Sequence, residues 1–189
     1  MAVLQNALLL SHKYMENIVR PGSVTVDATC GNGHDTLFLS RLVGAGGRVY
    51  GFDIQEEALK NTRRRLVQAN APDNVTLFCR GHEEMESFVP TGVAAVMFNL
   101  GYLPGGDHRM ATRHETSVRA IGAAARLLAP GGLITLCVYS GGDTGFEERD
   151  AVVRFCRSFD QRRFRVLSHE FINQENHPPL LLCIEKNSE

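Results

Sequence analysis

Val24-Thr25-Val26-Asp27-Ala28-Thr29-Cys30-Gly31-Asn32-Gly33-His34-Asp35-Thr36 is the stretch on which the fold is read. A short β-branched run leads into a turn with two glycines, and His34-Asp35-Thr36 then opens the apolar helical run Leu37, Phe38, Leu39, Leu42, Val43. Glycine reaches backbone angles closed to other residues and lets a ligand approach the main chain. Strand, glycine turn and helix N-terminus together form the usual nucleotide-cofactor site of an open α/β sheet.

At 189 residues the chain is long enough for one full core, so a single domain over residues 1–189 is expected. Its 43% hydrophobic and 22% charged residues are those of an ordinary globular protein. With a net charge of −1, any nucleic acid must be held by a local basic patch. No apolar run approaches the roughly 20 residues of a membrane span, and no membrane partner is expected. The N-terminus lacks a basic, apolar, small-residue signal pattern, which predicts a cytoplasmic location. Cys30, Cys79, Cys137, Cys156 and Cys183 are scattered with no Cys-x-x-Cys pair; reduced thiols packed as small hydrophobes are expected, and no metal site.

Outward from the opening stretch, residues 2 to about 19 have helical periodicity, stopped by Arg20-Pro21-Gly22. Strands are predicted at Arg48–Ile54, Val75–Cys79, Val93–Phe98 and Leu133–Tyr139. Helices are predicted at Glu56 to about Ala69, Thr112 to Leu128 and Phe146 to Phe159. Strands alternating with helices argue for a mostly parallel sheet covered on both faces. The last two strands, Phe164 to about Phe171 and Leu180 to Glu185, have no helix-length segment between them and should pair antiparallel. The expected architecture is a Rossmann-like α/β fold: a seven-stranded sheet closed by a C-terminal antiparallel hairpin. By analogy of fold this favours a class I methyltransferase over a dehydrogenase.

The cofactor is read from two carboxylates and the glycine pattern between them. Asp53 ends the second strand, about twenty residues beyond the glycines, where a carboxylate accepts ribose hydroxyls; its other reading is a helix N-cap. The dinucleotide fingerprint needs a third glycine, and Thr36 stands in that place. Asp27, just before the turn, suits a cationic amino-acid moiety better than a pyrophosphate. S-adenosylmethionine is therefore expected, with NAD the weaker alternative. Its contacts are expected from Asp27, Thr29, Gly31, Asn32, Gly33, Asp35, Thr36, Asp53, Gln55 and Asn99, and from His82 and Glu83 beside the adenine. His34 and Asp35 either cap the helix or touch the methionine end.

Substrate should meet cofactor at the carboxyl edge of the sheet, where Asn99-Leu100-Gly101-Tyr102 follows strand four. Methyl transfer needs a neutral nucleophile held with its lone pair aimed. An Asn oxygen and backbone carbonyls accept N–H bonds and can aim an amine; an aromatic ring beside them packs on a planar base or holds a cation. Amino-methyltransferases use an Asn/Asp-Pro-Pro-Tyr/Phe turn here, and Asn99 and Tyr102 are its first and last members. An alkyl amine must first lose a proton, for which Asp107, His108 and His114 are the nearby acceptors. Asn99, Tyr102 and Asp107 are the expected catalytic residues.

Asp27-Ala-Thr-Cys-Gly-Asn-Gly-His-Asp-Thr36, Gly51-Phe-Asp-Ile-Gln55, Phe98-Asn-Leu-Gly-Tyr-Leu-Pro-Gly-Gly-Asp107 and Ile172-Asn-Gln174 with Pro178-Pro179 together resemble one family across nearly the whole chain. It is the small class I methyltransferase family long labelled rRNA methylases, whose characterised members are tRNA 5-(aminomethyl)-2-thiouridine methyltransferases. The resemblance implies S-adenosylmethionine-dependent methylation of the aminomethyl group on a wobble uridine, the anticodon region of tRNA as partner, and a homodimer. One departure stands out: the family tends to Tyr-x-Gly-His-x-Gly-Gly after strand five, whereas Tyr139 to Gly145 reads Tyr-Ser-Gly-Gly-Asp-Thr-Gly, with Gly142 in the histidine's place and Glu148 following as in the pattern. Arg109, Arg113, Arg162, Arg163 and Arg165 are the expected phosphate contacts. Methylation of rRNA or of a small molecule, and cofactor binding without catalysis, are the alternatives.

Overall fold

A computed structural model describes residues 3–100, 114–140 and 145–188. Helix α1 (Ala7–Ile18) precedes the sheet. Then β1 (Val24–Asp27), α2 (His34–Val43), β2 (Arg48–Asp53), α3 (Glu56–Gln68) and β3 (Val75–Cys79) follow. A 3-10 turn at His82–Ser87 leads to β4 (Val93–Leu100), α4 (His114–Leu127), β5 (Leu128–Val138), α5 (Gly145–Arg157), β6 (Phe164–His169) and β7 (Leu180–Lys186). The seven strands lie in the order β3-β2-β1-β4-β5-β7-β6. β1 pairs in parallel with β2 and β4, and β7 runs antiparallel to both β5 and β6. The expected parallel sheet with an antiparallel C-terminal pair is thus observed.

Strand order reverses between β1 and β4, so the connections leaving these two strands diverge and open a crevice at their carboxyl ends. Strand alternation then decides which side chains face which layer. Val26 of β1 and Val96, Phe98 and Leu100 of β4 belong to the core under α4 and α5. Ala95 and Met97 belong to the other core, with Met15 of α1 and Leu39 and Val43 of α2. By the same alternation Asp27 and Asn99 project to the α1–α2 side.

Three of the boundaries that differ from the sequence reading do so for a local reason. α1 begins at Ala7, because the Asn6 side chain accepts the Leu9 N–H at 2.9 Å and caps the helix there. β4 extends two residues past Phe98, carrying Asn99 into the ladder opposite Cys137. β5 starts at Leu128, directly after α4, and takes in Ala129-Pro130-Gly131-Gly132 as an irregularity against β4 where a helix stop followed by a loop was expected. A Cβ on Gly132 would lie 2.9 Å from the Ala129 carbonyl and 3.0 Å from that of Val93, so only glycine admits this approach.

Four of the cysteines are buried as expected, but Cys79 is exposed, because it ends the edge strand β3; all are free. Among the described residues no helix is long and apolar enough to cross a membrane.

Asn74 clamps the end of α2 to the entry of β3. Its Nδ2 donates to the carbonyls of Ser40 (2.9 Å) and Gly44 (2.8 Å), and its Oδ1 accepts the Ser40 hydroxyl at 2.6 Å. Asn74→Ala strands these buried partners and should cost about 2–3 kcal/mol. Urea unfolding measures it, and a change below about 0.5 kcal/mol would show the clamp to be dispensable.

Candidate active site

The turn after β1 hangs from its two neighbouring strands: Ala28 N–H donates to the Met97 carbonyl of β4 and Cys30 N–H to the Phe52 carbonyl of β2, each at 2.9 Å. Gly31 (φ 50°) and Gly33 (φ 76°) take left-handed angles. A Cβ on Gly33 would sit 2.8 Å from the Thr62 backbone of α3, so this position tolerates no side chain. α3 also grips the outer side of the turn. Arg65 Nε donates to the Asn32 carbonyl at 2.6 Å, Arg65 Nη2 donates to His34 Nε2 at 2.9 Å, and Asn61 Nδ2 donates to Asn32 Oδ1 at 3.2 Å. The Asn32 and His34 side chains thus brace the turn against α3, and neither His34 nor Asp35 caps α2, whose N-cap is Gly33 without a side-chain bond.

Three carboxylates surround this turn. Asp53 accepts Gly31 N–H on Oδ2 and Gln55 N–H on Oδ1, both at 2.9 Å; the N-cap of α3 is Gln55. One lone pair on each oxygen remains, the arrangement a vicinal diol requires. Asp27 is fully buried and accepts the Thr36 hydroxyl at 2.6 Å and Thr29 N–H at 3.1 Å. Burial pushes its carboxyl up to about 7; the nearby Asp35 and Asp53 charges push the same way, and the two hydrogen bonds only partly oppose them. Asp35 joins three elements: Oδ1 accepts from His12 Nε2 of α1 at 2.6 Å, and Oδ2 accepts from the Asn99 side-chain nitrogen at the tip of β4.

Asn99 is fixed at one further point. Its backbone N–H donates to Thr29 Oγ1 at 2.8 Å. Its Oδ1 is buried and has no hydrogen-bond partner among the described residues. A carboxylate only accepts, so the amide must turn its nitrogen to Asp35, and its oxygen stands on the other arm as a free acceptor. His82 is buried, donates from Nδ1 to the Ala28 carbonyl at 3.1 Å, and meets Phe98 edge-on. Burial holds its pKa below the ordinary value, so Nε2 keeps a lone pair. Glu83 folds back over Gly81 and pairs with Arg119 at 3.7 Å.

Of the residues expected at the site, Asp27, Thr29, Gly31, Gly33, Asp35, Thr36, Asp53, Gln55, His82 and Asn99 gather at or directly beneath this crevice. Tyr102, Asp107, His108, Arg109, Arg113 and Gly142 lie outside the described residues; His114 opens α4. Glu148 is buried and accepts the Ser117 hydroxyl at 2.6 Å, tying α5 to α4. Arg165 lies opposite Glu185, itself opposite Leu133, where the β5–β7 ladder ends on the side away from the Asn99 neighbour Cys137. Arg162, Arg163 and Arg165 therefore do not converge on Asn99. His12 was not anticipated: on a helix read for its apolar positions it passes as a surface polar residue, and nothing local links it to Asp35.

Residues 49–185 match the family described as "Putative rRNA methylase". The chain belongs to that family. A tRNA (mnm5s2U34)-methyltransferase of Arabidopsis thaliana chloroplasts is 36% identical over 194 residues, 97% of this chain and 71% of the relative. The crystal structure of a family rRNA methylase from Clostridium thermocellum superposes with a TM-score of 0.96 at 51% identity, covering 98% of this chain and all of that one. A methyltransferase from Streptococcus mutans, solved in complex with SAH, has a TM-score of 0.89 at 38% identity, covering 97% and 99% of the two chains. This member of the rRNA methylase family is accordingly a class I S-adenosylmethionine-dependent methyltransferase.

Because the Asp27 carboxyl is raised in the folded protein above its unfolded value of 3.8, folding takes up a proton between these limits. The stability this contributes is complete below pH about 4 and lost as pH rises through about 7. Relative to Asp27→Asn, the cofactor-free wild type should therefore lose stability across that window, as read by urea unfolding at a series of pH values. A constant difference between the two would remove Asp27 as the titrating group.

Proposed function

We propose that this enzyme methylates the 5-aminomethyl nitrogen of the wobble (thio)uridine of tRNA. The observation that carries this reading is the buried Oδ1 of Asn99 at the β4 tip, which has no hydrogen-bond partner among the described residues. It stands beside a carboxylate-lined turn in a chain similar over 97% of its length to a protein named for that tRNA position.

S-adenosylmethionine, when bound, supplies an electrophilic methyl group on a sulfonium sulfur. The residues present fit it. Gly31 and Gly33 admit it close to the main chain, and Asp53 offers its two remaining lone pairs to the ribose hydroxyls. His82 and Glu83 would lie beside the base. Asp27 and Asp35 provide the negative field that a cationic methionine end requires, while Thr29, Asn32, Thr36 and Gln55 hold the turn that carries these groups.

Asn99 accepts an N–H of the substrate amine on Oδ1, which aims the nitrogen lone pair and holds it at attack distance. A neutral acceptor suits this task, because it orients an uncharged amine without stabilising the unreactive ammonium. Tyr102 packs against the base, and Asp107 takes the proton that the amine sheds. The protein works as a single domain over residues 1–189, in the cytoplasm, as a homodimer, and holds the anticodon region by local basic groups of which Arg109 and Arg113 are the ones nearest in sequence to Asn99. Among the described residues no three His, Cys, Asp or Glu side chains cluster as metal ligands.

Label from S-adenosylmethionine should pass to tRNA that carries the aminomethyl nucleoside and not to tRNA lacking it. Failure of transfer, in an assay where a known family member reacts, overturns the reading. Asp53→Ala should weaken cofactor binding by about 2–3 kcal/mol, the scale of lost charge-assisted hydrogen bonds, and calorimetry reports it. Asn99→Ala should leave that affinity nearly intact while kcat falls about 100-fold; undiminished turnover would clear Asn99 of the chemistry.

A further inference from the structure

We infer that His12 of α1 is a positioning residue for methyl transfer: acting through Asp35, it decides which way round the Asn99 amide stands. The inference rests on the reading of Asn99 as the acceptor of the substrate amine. The two arms of an amide side chain have almost the same shape, so only hydrogen-bonding neighbours select between them. Here the selector is Asp35 Oδ2, which accepts from the Asn99 nitrogen. A carboxylate, however, rotates about its own bond, and a freed Asp35 in the first turn of α2 would swing toward the helix N–H groups beside it.

What holds it is the second oxygen. Oδ1 receives His12 Nε2 at 2.6 Å, and since a carboxylate accepts, that nitrogen carries the proton. The imidazole is in turn immobilised: it stacks on Phe38 of α2 with centroids 4.0 Å apart and planes 10° from parallel. α1 itself is anchored by the buried Ala7, Ser11 and Met15 on either side of His12 in sequence. The order of control runs from α1 to His12, to Asp35, to the Asn99 amide, and so to the acceptor that meets the substrate.

His12→Phe preserves the stack on Phe38 and removes the donor; His12→Gln places an amide N–H near the position of Nε2. Expected for His12→Phe is a fall in kcat of about 10- to 100-fold, with cofactor Kd and KM for tRNA within about twofold, and largely restored turnover for His12→Gln. In the Asn99→Ala background His12→Phe should add little, because the group it positions is gone. Nitrogen-15 NMR of the Asn99 side-chain amide gives a readout that needs no substrate: its hydrogen-bonded proton should shift toward the free-amide position in His12→Phe and stay in place in His12→Gln. Wild-type turnover in His12→Phe, a full additive loss on Asn99→Ala, or an unmoved Asn99 resonance overturns the inference. Absence of transfer by the wild type overturns the functional reading instead, and the resonance then decides the His12 link by itself.

Discussion

Three carboxylates crowd one short turn, and the arrangement is stable only because each is met by donors and because the turn is built for a cation. Asp53 is held by two backbone N–H groups, Asp27 by a hydroxyl and an N–H, and Asp35 by an imidazole and an amide. Their mutual repulsion is visible in Asp27, whose carboxyl is pushed up to about 7 by burial and by its two acidic neighbours. A sulfonium with an ammonium group relieves that repulsion, whereas a pyrophosphate would add to it. The same electrostatics therefore select the cofactor class.

The rest of the fold serves this turn by bringing four separate elements to it. The strand-order reversal puts the tips of β1 and β4 side by side, so Asp27 and Asn99 face the same layer. α3 braces the outside of the glycine turn through Asn61, Thr62 and Arg65, while α1 braces the inside through His12. Neither helix supplies a group expected to touch the reacting atoms. Their contribution is to lower the freedom of the groups that do, which is how a small domain holds a nucleophile within the narrow tolerance that displacement requires.

Much of this was legible because it is local. The β-branched run, the paired glycines and the helix opening at His34 are short-range signals whose conformational needs are met within a few residues. The alternation of strands and helices, and the short link before the last strand, announced the parallel sheet and its antiparallel end. Reading failed where tertiary contact overrode local preference. Ala129-Pro130-Gly131-Gly132 reads as a helix stop and loop, but Val93 on the neighbouring strand absorbs it as an irregularity in β5. Asn99 reads as a turn residue after β4, but pairing opposite Cys137 keeps it in the ladder.

By itself, then, the amino-acid order determined the architecture, the cofactor class and most residues lining the crevice, since periodicity, turn chemistry and carboxylate spacing are properties of neighbouring residues. Only the folded chain decided what those side chains do: that Asn32 and Thr36 brace the turn, that Arg162, Arg163 and Arg165 sit at the wrong end of the sheet to meet Asn99, and that His12 joins Asp35. Such roles depend on distances between residues tens of positions apart, which packing sets and no local pattern encodes.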